Sequence, residues 1–163
     1  MRLITYTRAG QDAASIGVRL GARILELGAA ARIAGEAELP ARMKDLLAAG
    51  PAAMERARRL AAAALAAPER YAAALLEQSA VRFLPTVPDA DKFLCVGKNY
   101  RQHLEEVRRN DLLTETPQEP TAFVKLNSCL VGHEARVARP QGIVRLDYEP
   151  ELVCVIGRRA LGV

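Results

Sequence analysis

Glu149 and Glu151 stand two residues apart in the run Asp147-Tyr148-Glu149-Pro150-Glu151-Leu152-Val153-Cys154-Val155-Ile156-Gly157, which reads as an apolar strand. Strand side chains alternate faces, so both glutamates share one face while Tyr148, Leu152, Cys154 and Ile156 take the other. Two like charges side by side repel, and burying either one unpaired is costly. A hard divalent cation such as Mg²⁺ relieves both problems, because it takes carboxylate oxygens and keeps positions open for water or substrate. A half-exposed strand whose wet face carries two glutamates accounts equally for the spacing. Pro150 removes one ladder donor, so the strand is expected at a sheet edge or a bulge.

A second pair stands upstream. Lys92-Phe93-Leu94-Cys95-Val96-Gly97-Lys98-Asn99-Tyr100 reads as a short strand ending in a Gly-Lys-Asn turn, and Arg101 to Val107 as the first turns of a helix. His103 and Glu106 are i and i+3, neighbours on a helix surface. A carboxylate beside an imidazole orients the ring, raises its basicity and lets the pair move a proton or activate water. The same spacing also occurs on plain solvated helix faces, and Glu105 with Arg109 is such a surface pair.

The segments CVGKNYRQHLEE, PTAFVKLNSCLVG and LDYEPELVCVIGRRA, in that order and spacing, resemble the fumarylacetoacetate hydrolase family. The leading stretch MRLITYT…SIGVRLGARILEL…MKDLLAAG is similar to the small N-terminal domain of its bacterial members. The resemblance implies a divalent-metal-dependent enzyme, using Mg²⁺ or else Mn²⁺ or Ca²⁺. Its substrates would be β-dicarbonyl or 2-oxo acid compounds of aromatic or small-acid catabolism. The reaction would be C–C hydrolysis, decarboxylation or isomerisation through a shared enolate. It assigns His103 and Glu106 to catalysis, Glu149 and Glu151 to the metal, and the segment with the pair to a lid; the polar loop 110–120 reads equally as part of that lid or as an ordinary connection. Lys125 is a candidate for holding an anionic substrate, although an exposed strand lysine reads equally well. A homodimer formed through the catalytic domain is also implied.

The family carries a third metal ligand, an Asp, and an assisting lysine downstream of the paired glutamates. This chain ends at Val163, so the catalytic domain is expected to be incomplete. Weak Mg²⁺ binding and little turnover are expected from the chain alone. The alternative is an inactive remnant or assembly module of the same family.

The elements that must position these residues follow from pattern. The fold class is α+β: the resemblance implies a small N-terminal α/β domain over 1–84 and, over 85–163, the beginning of that family's mixed β-sandwich or roll, incomplete in this chain. Residues 2–7 and 14–20 read as strands, the second alternating Ile16, Val18 and Leu20, and Gly21-Ala22 turns the chain into a third over 23–27. Met43, Leu46 and Leu47 mark a short helix stopped by Gly50, and Pro51 opens a longer alanine-rich one that ends near Pro68. Residues 69–78 read as a further helix, 84–88 as an extended linker, and 121–125 as a strand. His133, beside Gly132, caps a turn.

Composition narrows the class. No apolar run approaches the roughly 20 residues that span a bilayer, so no membrane role is expected. Cys95, Cys129 and Cys154 are far apart with no C-x-x-C and lie in apolar contexts. Buried reduced thiols and a cytoplasmic location are the reading. The net charge is +4, with four tyrosines, three phenylalanines and no tryptophan. Nucleic-acid binding calls for a basic stripe with stacking aromatics, which these dispersed arginines do not make.

Overall fold

The computed structural model describes residues 1–110, 119–158 and 160–162. It divides into two compact units, one of Met1–Val87 with Val131–Val163 and one of Pro88–Leu130. The lid expected over 110–120 lies, apart from its ends, outside the described residues.

The first unit is built on a five-stranded antiparallel sheet in the order β4-β3-β2-β1-β5. Its strands are β1 (Leu3–Arg8), β2 (Ala14–Leu20), β3 (Arg23–Glu26), β4 (Leu75–Glu77) and β5 (Val81–Phe83). The expected alternation positions one face: Ile16 and Val18 are buried in a cluster with Leu25, Leu27, Met43, Leu46 and Leu60. Helices α1 (Leu27–Ala34), α2 (Met43–Ala48) and α3 (Gly50–Ala66) supply the other layer. α1 buries Leu27, Ala30 and Ala31, the i, i+3, i+4 stripe of a surface helix. Gly50 adopts φ +77°, a conformation that suits glycine and lets the chain swing from α2 into α3. α3 faces the core with Ala53, Ala57, Leu60, Ala61 and Ala64; burying each leucine-sized side chain of this cluster contributes about 1.5–3 kcal/mol.

The opposite face of the sheet carries charge. The hydroxyl of fully buried Tyr6 donates to Glu26 Oε2 at 3.4 Å, and Arg8 pairs with the same oxygen. β2 lies between β1 and β3, so this contact spans it above Gly17, whose pairing partners are Ile4 and Glu26. Burial pushes the Tyr6 hydroxyl up from its usual range, and the Glu26 charge adds to it. The hydrogen bond to Glu26 in turn raises the already high Arg8 guanidinium.

Two expectations give way here. Residues 69–78 are not a helix: a single 3₁₀ turn at Ala72–Ala74 leads into β4. Leu75 and Leu76 pair with Leu25 and Ile24 of β3, so sheet pairing overrides the helix propensity of the alanines. The second is the strand over 148–156. Residues 147–157 form no strand, and Tyr148, Leu152 and Ile156 are 94%, 82% and 80% exposed. Alternation records a preference for pairing, but a strand exists only with a hydrogen-bonding neighbour, and neither sheet includes this segment.

The second unit holds a two-stranded antiparallel ribbon, β6 (Leu94–Gly97) and β7 (Thr121–Val124), with α4 (Arg101–Arg109) between them in sequence. Both expected strands and the helix are present. The buried thiols are not: Cys95 is half-buried, Cys129 and Cys154 are exposed, and all three are free. An apolar sequence neighbourhood buries a thiol only when another layer covers it.

Candidate active site

β6 delivers the chain to α4 through a tight turn. A side chain on Gly97 would come within 3.1 Å of Thr121 Oγ1, and that hydroxyl donates to the Gly97 carbonyl at 3.3 Å. Lys98 then adopts φ +56°, a left-handed conformation that costs a residue with a Cβ about 1–2 kcal/mol. Tyr100 returns to extended backbone, and its carbonyl accepts from Leu104 N at 3.0 Å to start the helix.

α4 places His103 and Glu106 one turn apart, as their spacing requires. His103 is half-buried and Glu106 exposed. No hydrogen bond or ion pair joins the two side chains in this structure. Catalytic hydrogen bonds commonly tighten only when substrate is bound.

Lys125 lies elsewhere on the ribbon. Gly97 pairs with Thr121 and Leu94 with Val124, and Lys125 N donates to the Phe93 carbonyl at 3.0 Å. It therefore stands at the end of the ribbon remote from α4, about 13 Å along β7 from Thr121 at the usual strand rise.

Glu149 and Glu151 belong to the first unit, in the extended, exposed stretch described above. Among the described residues no group of three His, Cys, Asp or Glu side chains converges. Mg²⁺ demands a near-octahedral set of oxygens and sheds water reluctantly. Two carboxylates on an exposed stretch outside both sheets do not make that cage, so the described residues do not by themselves fit the metal.

His133 sits in a turn closed by Ala135 N donating to Gly132 O at 3.2 Å, and its ring lies 6.1 Å from that of Phe83. It helps wall a cleft of about 380 Å³ in the first unit, with Ile4, Arg19, Phe83, Pro85 and Gly132. The cleft was not visible in the sequence, and the Gly-Lys-Asn turn was the only signal for the left-handed Lys98.

Residues 92–163 match the family model described as fumarylacetoacetate (FAA) hydrolase C-terminal. The chain is 29% identical over 161 residues to "Oxaloacetate tautomerase fahd2, mitochondrial" of Xenopus laevis, covering 98% of this chain and 45% of that protein. It is 36% identical over 121 residues to "Oxaloacetate tautomerase FAHD2A, mitochondrial" of Homo sapiens, covering 74% and 34%. An uncharacterized protein of Archaeoglobus fulgidus is 40% identical over 78 residues, 48% of this chain and 29% of its own length. The chain thus spans less than half the length of each of these relatives. On the match over residues 92–163 and these relatives, it belongs to the fumarylacetoacetate hydrolase family.

Proposed function

We propose that this chain carries the proton-transfer dyad of an enzyme acting on 2-oxo acids, and that its reaction is the enol–keto interconversion of a 2-oxo dicarboxylate such as oxaloacetate. The observation that carries the reading is the placement of His103 and Glu106 on one turn of α4, directly after the Gly97–Tyr100 turn. Relatives named as oxaloacetate tautomerases support the substrate class.

In such a reaction one proton leaves the enol oxygen and one arrives at C3, with no change of oxidation state. Glu106 orients the His103 ring and stabilises its protonated form. His103 accepts the proton from one site and returns it to the other. Hydrolysis and decarboxylation in the same family pass through the same enolate, so the dyad serves them by the same proton movements. Enzymes of the family generally use divalent metals, and Glu149 and Glu151 are the carboxylates that the resemblance assigns to one. Residues 85–163 are read as the start of the family's catalytic domain. A non-catalytic assembly module is the second reading, favoured by the exposed apolar side chains from Val144 to Ile156.

The test follows the decay of the oxaloacetate enol with the 163-residue chain, against buffer of the same Mg²⁺ content. A slow acceleration is expected, returning to the buffer rate in Glu106→Gln with the circular dichroism unchanged. General acid–base catalysis is typically worth about 10²-fold or more. Equal rates for the chain, the variant and buffer overturn the proposal.

A further inference from the structure

We infer that the face of the first unit's sheet opposite the helices carries a binding cleft for a small aromatic carboxylate, with the Arg19 guanidinium as anion receptor and the Phe83 and His133 rings as its wall. The cleft lies wholly within the first unit, and the inference does not depend on the dyad.

The strand register sets its floor. Directly paired residues of antiparallel strands share a face, as do residues two apart on one strand. Tyr6 pairs with Phe83 and Ile4 with Gly17. Ile4, Phe83 and Arg19 therefore stand together on the side away from Ile16 and Val18, which face the helices. Val131, Gly132 and His133 come over that side and, with Pro85, bound the cleft of about 380 Å³. That volume falls at the small end of ligand pockets, about 300–1,000 Å³.

The walls are held without a ligand. A Cβ on Gly132 would overlap the Phe83 carbonyl oxygen and lie 2.8 Å from the Phe83 carbonyl carbon, so glycine is what lets the His133 turn approach β5 this closely. The Leu84 amide donates to the Thr5 carbonyl at 2.9 Å and the Thr5 hydroxyl to the Thr86 carbonyl at 2.6 Å, which keeps Pro85 beside β1. The His133 ring stands 6.1 Å from that of Phe83 and is inclined to it by 58°, inside the range of aromatic contacts, about 4.5–7 Å.

The lining selects the ligand. Ile4, Phe83, Pro85 and Val131 offer apolar surface, and Val131 is 55% exposed. Arg19 supplies the fixed charge. Its Nε is tied to the Gly21 carbonyl at 3.1 Å, which leaves the two terminal nitrogens of the fork for a carboxylate. Glu134, 3.8 Å from His133 Nε2, does not line the cleft, and among the described residues no other carboxylate does. Apolar walls, two rings and one guanidinium fit a flat apolar body bearing a single carboxylate.

The test is a ¹H NMR titration of the 163-residue chain at fixed pH with benzoate, benzamide and acetate. The chain has two histidines, so their C2 protons report separately on His133 in this cleft and on His103 in α4, with His133→Gln assigning the signals. Benzoate is expected to shift the His133 signal saturably with roughly millimolar affinity, the scale for so small a ligand, and to leave His103 in place. Benzamide, which lacks the charge, and acetate, which lacks the ring, should each bind about fivefold more weakly or worse. Arg19→Gln, with circular dichroism unchanged, should bring benzoate down to the level of benzamide; if that variant does not fold, the comparison of the three ligands on the wild-type chain decides. No saturable binding, a shift confined to His103, benzamide or acetate matching benzoate, or an unaltered benzoate affinity in folded Arg19→Gln each overturns the inference.

Discussion

Gly17 and Gly28 predict opposite outcomes for the same chemical change. A Cβ built on Gly17 would lie 2.7 Å from the Leu25 carbonyl oxygen, 2.9 Å from Ile24 Cγ2 and 3.2 Å from Tyr6 Cε1. The first contact is with backbone held by the Val18–Leu25 pairing, so it cannot rotate away. The third presses on the ring whose hydroxyl reaches Glu26. Overpacking of this kind costs about 1–3 kcal/mol, and loosening the Tyr6–Glu26 contact adds about 1 kcal/mol. Replacing a strand glycine returns about 0.5–1 kcal/mol of backbone entropy. Gly17→Ala should therefore destabilise the first unit by roughly 1–3 kcal/mol. Gly28 sits in α1 with nothing nearer to its Cβ position than the Arg32 side chain at 3.6 Å. There Ala gains about 0.8–1 kcal/mol of helix propensity. Urea unfolding followed by circular dichroism reads both. At an m-value of about 1.5 kcal/mol/M, the midpoint should fall by about 1–2 M in Gly17→Ala and rise by about 0.5 M in Gly28→Ala. A Gly17→Ala midpoint at or above that of the wild type would refute the packing of β2 between β1 and β3.

Alkaline titration should expose the buried hydroxyl of Tyr6. Its folded-state pKa lies above the ordinary value of 10.0, so its contribution is fully present below about pH 10 and is lost as pH rises beyond it. Tyr6→Phe should flatten that alkaline limb in stability measured against pH, and an unchanged limb would contradict the assignment. The 163-residue chain should bind Mg²⁺ more weakly than about 1 mM by calorimetry, since two carboxylates supply only part of the shell; tight binding abolished by Glu149→Ala would show a completed cage. The exposed apolar stretch from Val144 to Ile156 should drive association, and light scattering showing a stable monomer at tens of micromolar would count against that.

Much of the framework was legible because local chemistry and tertiary pairing agree. Ile16 and Val18 alternate with residues of the other face, and Gly50 and Pro51 punctuate the helices where the chain turns. Legibility failed where pairing partners decide. β4 hides in an alanine-rich stretch because its strand state is conferred by β3. The run from Tyr148 to Ile156 has the alternation of a strand without a ladder to join. Within the site, the spacing of His103 and Glu106 announced a helix face, and α4 supplies it. The position of Lys125 depends on the register of β7 against β6, which no local pattern encodes. For the left-handed Lys98 the Gly-Lys-Asn turn is the only local signal, since lysine itself carries no preference for that conformation.

The measurement that bears most directly on the dyad is hydrogen exchange at C3 of oxaloacetate in ²H₂O, followed by ¹H NMR with and without the chain. Each passage through the enol exchanges a C3 proton with solvent, so the exchange reports proton transfer independently of hydrolysis or decarboxylation. The account predicts faster exchange with the wild-type chain than with buffer, and a return to the buffer rate in both His103→Gln and Glu106→Gln. Exchange that is equally fast in the wild type and both variants would contradict it.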